Sequence, residues 1–314
     1  MRNTFAEELT RLASEDSRLV LLSGDIGNRL FDKFKAVDEH RFFNCGVAEA
    51  NMMGVAAGLA LSGLRPFVYT ITPFTTTRCF EQIRVDVCYH HVPVVIVGTG
   101  SGLSYAELGP THHSLEDIAI LRTLPGMRVL APCDSTELQL ALRAVLQDDA
   151  PAYIRIGKKG EPAIHATPPV FRIGEAIIVR PGSDVALLVA GTIMSEALLA
   201  ADQLARQGVS AEVVSFHTVK PLDEGYLRAA ASRFGLVATL EEHGVIGGFG
   251  SAVAEWRASA NTAFTQLMFG TGDEFMHEVG SQSYARAKYG LAAENIADSI
   301  GAALGGCRGA QSCV

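Results

Sequence analysis

The chain has 314 residues, is 48% hydrophobic and 19% charged, and carries a formal net charge of -8. That composition excludes a disordered chain and is ample for two domains of ordinary size. The acidic balance, with no lysine and arginine cluster interleaved with aromatics, excludes nucleic acid or an anionic membrane as the expected partner, so any anionic ligand has to be held locally.

The first residues start an amphipathic helix that carries acids, which is not a signal-peptide pattern, and no uninterrupted apolar run is long enough to span a bilayer. A cytoplasmic location is expected. Short apolar runs at Leu19–Ser23, Phe42–Asn44, Pro66–Ile71, Val92–Val97, Arg128–Ala131 and Ala152–Ile156 read as strands, with helices predicted from near Ala48, Thr77, Ser114 and Ser135. Several runs are continuously hydrophobic, as strands covered on both faces are. The pattern predicts an α/β fold, a doubly wound parallel sheet, over residues 1–160. Pro162, Pro168 and Pro169 mark a linker at 161–172. A smaller α/β unit over 173–314 follows, with strands at Asp184–Ala190, Ala211–Ser215 and Leu236–Leu240 and helices from Ser195 and Gly248.

Glu49 heads an apolar, glycine-punctuated helix, and Met52, Met53, Ala56, Ala57 and Ala60 follow it at three- and four-residue steps. A carboxylate at the start of a buried stripe has two readings. It complements the helix dipole, or it is a partly desolvated acid that shares a proton with a ligand base. Ligands in an open parallel sheet bind beyond the carboxyl ends of the strands. Those ends supply Asp25, Glu49, Phe74, the glycine-rich run 98–102, and His112 with His113. Each has an ordinary reading alone, as turn residue, core aromatic or structural histidine, but they share one edge.

The six cysteines, Cys45, Cys79, Cys88, Cys133, Cys307 and Cys313, form no Cys-x-x-Cys pair and are read as reduced, and His90-His91 and His112-His113 lack companions at zinc spacing, so no metal site of this chain's own is predicted. The glycines of 244–250 lack a P-loop lysine and read as a packing or contact element.

Ser-Gly-Asp at 23–25, Gly-Val-Ala-Glu-Ala-Asn at 46–51, Phe74 followed by Phe-Glu-Gln-Ile-Arg at 80–84, and Gly-Pro-Thr-His-His-Ser-Leu-Glu-Asp at 109–117 resemble, in order and spacing, the transketolase-like family of thiamin diphosphate enzymes. The resemblance spans the pyrimidine-binding domain and continues into the carboxy-terminal domain at Phe-His-Thr-Val-Lys-Pro-Leu-Asp, 216–223, and Glu-Glu-His-Gly, 241–244. It implies that Glu49 activates the cofactor at its aminopyrimidine, that Phe74 stacks on that ring, that Asp25 lines the cofactor pocket, and that His112 meets the substrate. The family holds the diphosphate and Mg2+ on another domain through Gly-Asp-Gly and Asn-Asn, and this sequence contains neither.

The resemblance therefore implies the carboxy-terminal subunit of a split transketolase, paired with an amino-terminal subunit in an α2β2 assembly and moving a two-carbon ketol unit from a ketose to an aldehyde. The rival readings are the β subunit of a 2-oxo acid dehydrogenase and a noncatalytic regulatory subunit. Aligned back from His112, Gly100 and Leu108 fall where the family carries a phosphate-binding histidine and a hydroxyl-reading aspartate, which points to an unusual or unphosphorylated acceptor. Arg2, Lys158 and Arg29 remain as candidate anion contacts; for Lys158 and Arg29 solvated surface charge is an equal reading.

Overall fold

A computed structural model describes residues 1–27 and 29–311, the side chains of 306–311 excepted. Cys307 and Cys313 lie outside the described side chains; Cys45, Cys79, Cys88 and Cys133 are free thiols. Among the described residues no helix is long and apolar enough to cross a membrane.

The chain builds two sheets. The first contains β1 (Leu19–Ser23), β2 (Phe42–Asn44), β3 (Arg65–Ile71), β4 (Val95–Thr99), β5 (Arg128–Leu130) and β6 (Ala152–Ile156), all parallel, in the order β2-β1-β3-β4-β6-β5. The second contains β7 (Ile177–Arg180), β8 (Val185–Ala190), β9 (Ala211–Ser215), β11 (Leu236–Gly244) and β12 (Thr265–Thr271), parallel except for the edge strand β7. The continuous apolar runs have the expected cause: every residue of β1, β4, β6, β8 and β9 is buried, with helices on the sheet faces.

On one face of the first sheet the helix Arg2–Glu15 places Phe5, Leu9 and Leu12 in the core, and the Phe5 ring stacks on Tyr69 of β3 with centroids 5.2 Å apart. On the other, the helix Glu49–Leu61 buries Met52, Met53, Ala56, Ala57 and Ala60.

Three local departures from the sequence expectation have identifiable causes. The strand expected from Val92 begins at Val95, because the Val94 amide bonds back to the Val92 carbonyl and Pro93 has no amide to give. The helix expected from Thr77 is a series of short turns from Thr72 to Tyr89 that ends in a π-helical stretch. The hydroxyls of Thr75 and Thr76 donate to the Thr72 carbonyl at 3.0 and 2.7 Å, and that of Thr77 to the Pro73 carbonyl at 2.7 Å, competing with a regular ladder. The helix expected from Ser114 starts at Asp117, because Ser114 is engaged in a bridge with Gly102 and the Leu115 carbonyl accepts from the Gly244 amide.

The sequence pattern also missed β10 (Thr218–Lys220), which comes from the second half of the chain yet pairs antiparallel with β5 at the edge of the first sheet. The Lys220 ammonium donates to the carbonyls of Arg122 and Leu124 at 2.9 and 2.5 Å. The second half of the chain is thus joined to the first sheet by backbone pairing.

A buried ion pair makes the second tie. Arg155 of β6 donates through Nε to Asp117 Oδ2 at 2.9 Å and through Nη2 to Asp117 Oδ1 at 3.1 Å, and Tyr153 donates to the same carboxylate at 2.5 Å. The remaining Arg155 contacts reach the carbonyls of Ser114 and of Glu242 in β11 at 3.2 and 3.1 Å. Burial alone would push the Asp117 carboxyl up, but Arg155, His243 and the Tyr153 hydroxyl outweigh it and hold it below its ordinary value. Arg155→Met strands Asp117 as an unpaired buried charge, and urea denaturation is expected to show a loss of roughly 3–5 kcal/mol. Arg155→Met combined with Asp117→Leu should recover a substantial part of that loss.

Candidate functional site

The strand ends of the first sheet converge as an open parallel sheet requires, and Glu49 begins the helix after β2. Its side chain is only 2% exposed although the loop before it is open to solvent. Among the described residues its partner is Arg78, whose Nη1 donates to Glu49 Oε2 at 2.8 Å. The same guanidinium lies over the Phe74 ring, 4.2 Å from the centroid. Phe74 in turn meets the His112 ring edge to face at 5.4 Å. Glu49, Arg78, Phe74 and His112 therefore form one contiguous line, joining the helix after β2, the irregular segment after β3 and the loop before Asp117.

Arg78 was not found by sequence reasoning. A lone arginine amid threonines carries no motif, and only its four-residue step from Phe74, the spacing at which side chains meet on a helical turn, could have pointed to it. A cavity of about 460 Å³ opens beside this line, bordered by Phe74, Arg78, Pro110, Thr111, His113 and Glu116. Pro110, His113 and Glu116 also border a second cavity of about 330 Å³, whose far wall is Ile246 and Phe275 of the second domain.

His112 is half-buried, with Nδ1 2.9 Å from the Thr111 hydroxyl. His113, which borders both cavities, is buried, and burial lowers its pKa from the ordinary histidine value. Asp25, at a positive φ of 56°, accepts from Asn44 Nδ2 at 2.9 Å, and Asn44 Oδ1 accepts from the Gly46 amide at 3.0 Å. Asp25 thus braces the turn that leads into Glu49.

Gly100 has φ +73°, and a Cβ there would lie 1.9 Å from the Tyr105 ring. Tyr105 is a second residue the sequence did not single out. Its ring fills the space a side chain at 100 would take, stands 5.9 Å from His112, and carries the Lys158 ammonium 4.4 Å above its centroid. Lys158 also pairs with Glu107. Arg2 is half-buried, its Nε without a hydrogen-bond partner among the described residues. Leu108 is exposed at the end of a short turn, 106–108. Arg29 lies with Asn3, Glu7 and Lys33 around a separate small depression beside the first helix.

This arrangement, a buried acid, an aromatic face and an imidazole at the carboxyl edge of a parallel sheet, defines a site for a planar heteroaromatic ring that has to exchange a proton. Family comparison agrees: residues 1–161 match the transketolase pyrimidine binding domain and residues 174–296 the transketolase C-terminal domain. The chain belongs to the transketolase family, and is a transketolase-like transferase laid out as the carboxy-terminal part of a split enzyme. The family is thiamin diphosphate-dependent.

The chain is 40% identical over 297 residues to the 6-deoxy-6-sulfo-D-fructose transketolase subunit SqwH of Clostridium sp. (strain MSTE9), covering 94% of this chain and 92% of that protein. It is 33% identical to an apulose-4-phosphate transketolase subunit of Phocaeicola vulgatus, covering 94% of each. A solved split gene transketolase, an inactive beta4 tetramer, superposes with a TM-score of 0.87 at 34% identity, covering 96% of this chain and 97% of that one.

The Glu49–Arg78 contact has a measurable weight. Arg78→Met leaves the buried carboxylate without its donor and is expected to cost roughly 1–2 kcal/mol in urea denaturation, discounted because Arg78 is partly exposed. Glu49→Gln made in the Arg78→Met background should cost less than it does alone, the coupling that a double-mutant cycle reads.

Proposed function

We propose that this chain is the carboxy-terminal subunit of a split, thiamin diphosphate-dependent transketolase, and that it moves a two-carbon ketol unit from a ketose-type donor to an aldehyde acceptor. One observation carries the reading: Glu49, buried to 2% at the start of an apolar helix, lies in line with Phe74 and His112. The pyrimidine end of the cofactor fits this line, since an acid stands at its edge and an aromatic face beside it. The diphosphate end has no matching motif in this sequence, which has neither Gly-Asp-Gly nor Asn-Asn. Thiamin diphosphate, when bound, supplies the carbanion at the thiazolium C2 that accepts and returns the ketol unit.

In this reading Glu49 would exchange a proton with the ring nitrogen of the cofactor through Oε1, Oε2 being taken by Arg78. Phe74 orients the ring by stacking. His112, tethered to Thr111, moves protons to and from substrate hydroxyl oxygens at the cavity mouth. Asp25 serves the cofactor pocket through the turn it braces. Arg2 and Lys158, the latter over the Tyr105 ring, meet an anionic group of the substrate. Gly100 and Leu108, which offer no polar side chain, relax the reading of the acceptor.

Mg2+ and the diphosphate belong, on this proposal, to an amino-terminal partner subunit, in a cytoplasmic α2β2 complex. Support comes from relatives described as subunits and from large apolar side chains left open around the site. Phe43, Val47 and Val55 stand around the start of the Glu49 helix, and Ile246 and Phe275 stand on the second domain. We place the division between the two domains at 161–172.

Calorimetric titration of thiamin diphosphate with Mg2+ is expected to show binding to the complex with the amino-terminal subunit and none to this chain alone. Glu49→Gln in the complex should lower ketol transfer by about 10²–10⁴-fold. Undiminished transfer in that variant would make the subunit noncatalytic, and tight Mg2+-dependent binding by the isolated chain would place a diphosphate site within it.

A further inference from the structure

At the junction of the two domains, three side chains of different donor chemistry meet. Cys133 precedes the helix Ser135–Ala144, Glu137 lies in its first turn, and His165 comes from the linker. Their ligand atoms all lie within 4.8 Å of one another. His165 Nε2 is 2.9 Å from Glu137 Oε1 and 3.9 Å from Cys133 Sγ. A tetrahedral zinc ion with bonds of about 2.0–2.3 Å needs donor atoms roughly 3.3–3.7 Å apart, so the two measured separations bracket the requirement.

Further contacts hold the three groups in place while their ligand atoms face one another. Asp134 Oδ2 accepts from the backbone amides of Ile164 and His165 at 2.8 and 3.0 Å, which fixes the linker beside the helix. Glu137 Oε2 accepts from the Cys133 amide at 2.8 Å and from the Ser215 hydroxyl at 3.1 Å, which leaves Oε1 to face His165. Cys133 and Glu137 are buried, and His165 has a narrow opening to solvent, its side chain 8% exposed. His217, buried just after β9 and stacked on Phe171 at 3.9 Å, closes the neighbourhood.

We infer that Cys133, Glu137 and His165 form a binding site for one Zn2+ ion, with water or the Ser215 hydroxyl in the fourth position. The mixed donor set decides the class of metal. A thiolate with an imidazole selects a borderline-soft ion over Mg2+ or Ca2+, and a single carboxylate cannot supply the oxygen cage those ions need. Charge also balances: a thiolate, a carboxylate and a neutral imidazole around a dication leave the buried cluster neutral. Bound there, the ion would cross-link the linker at His165 to the first domain next to Ser215 of β9.

The test uses the full-length chain, kept reduced and stripped of metal with a chelator. One equivalent of Co2+ is expected to produce a thiolate-to-cobalt charge-transfer band in the near ultraviolet with tetrahedral absorption in the visible, and Zn2+ to abolish both. Cys133→Ala and His165→Gln should each remove the charge-transfer band and weaken Zn2+ binding by more than about 100-fold, beyond what loss of an outer hydrogen-bond partner costs. Cys45→Ser should retain it. No such band in the unmodified chain overturns the inference, as does a band that survives Cys133→Ala, which would report another cysteine. Should Cys133→Ala not fold, His165→Gln decides alone: its substitution lies in the linker, and a band that persists in it overturns the site.

Discussion

The ion pair between Arg155 and Asp117 sets the geometry around which this protein is organised. Two charges taken fully out of water are tolerable only if every oxygen and nitrogen is satisfied. Here that condition recruits Tyr153 from the first sheet, the carbonyl of Ser114 from the loop that carries His112, and the carbonyl of Glu242 from the second domain. The same stretch of β11 carries Glu241, whose carboxylate accepts from the Phe249 and Gly250 amides at 2.6 and 2.8 Å and so caps the next helix. Burial pushes the Glu241 carboxyl above its ordinary value even so. One desolvated pair therefore fixes the His112 loop against both sheets, and with it the distance between imidazole and Phe74.

The site is shaped as much by small residues as by charged ones. Gly100 has no Cβ, and that admits the Tyr105 ring; Tyr105 then supplies a surface for Lys158 and a neighbour for His112. Gly102 has the same role one step further on, since a Cβ there would lie 2.6 Å from that of Glu242. The segment after β3 works differently. Its threonine hydroxyls draw carbonyls out of a regular helix, while Phe74 and Arg78, four residues apart, keep the contact that this spacing gives on a helical turn, and Arg78 reaches on to Glu49.

The parts of this protein that follow from short-range rules were legible in the chain itself. Continuous apolar runs marked strands buried on both faces, because that burial leaves no room for alternation. The stripe from Glu49 through Ala60 marked a buried helix with an acid at its head, and the order of motifs from Ser23 to Asp117 marked the family. Glu49, Phe74 and His112 could be named in advance because each sits at a strand end or loop whose position in a parallel sheet is fixed by topology.

The pairings between residues distant in sequence came only with the folded chain. Nothing local ties Arg78 to Glu49, or His165 to Cys133 and Glu137, since each contact depends on how separate segments are brought together. Nor does Thr218–Lys220 announce that it will close the edge of the other domain's sheet, because three residues have no period to read. The order of residues was enough to set the elements, their burial and the family, through propensity and hydrophobic periodicity that act over a few residues. The neighbours of each side chain at the site, and the joint between the domains, were left to packing and to the demand that buried charges find partners.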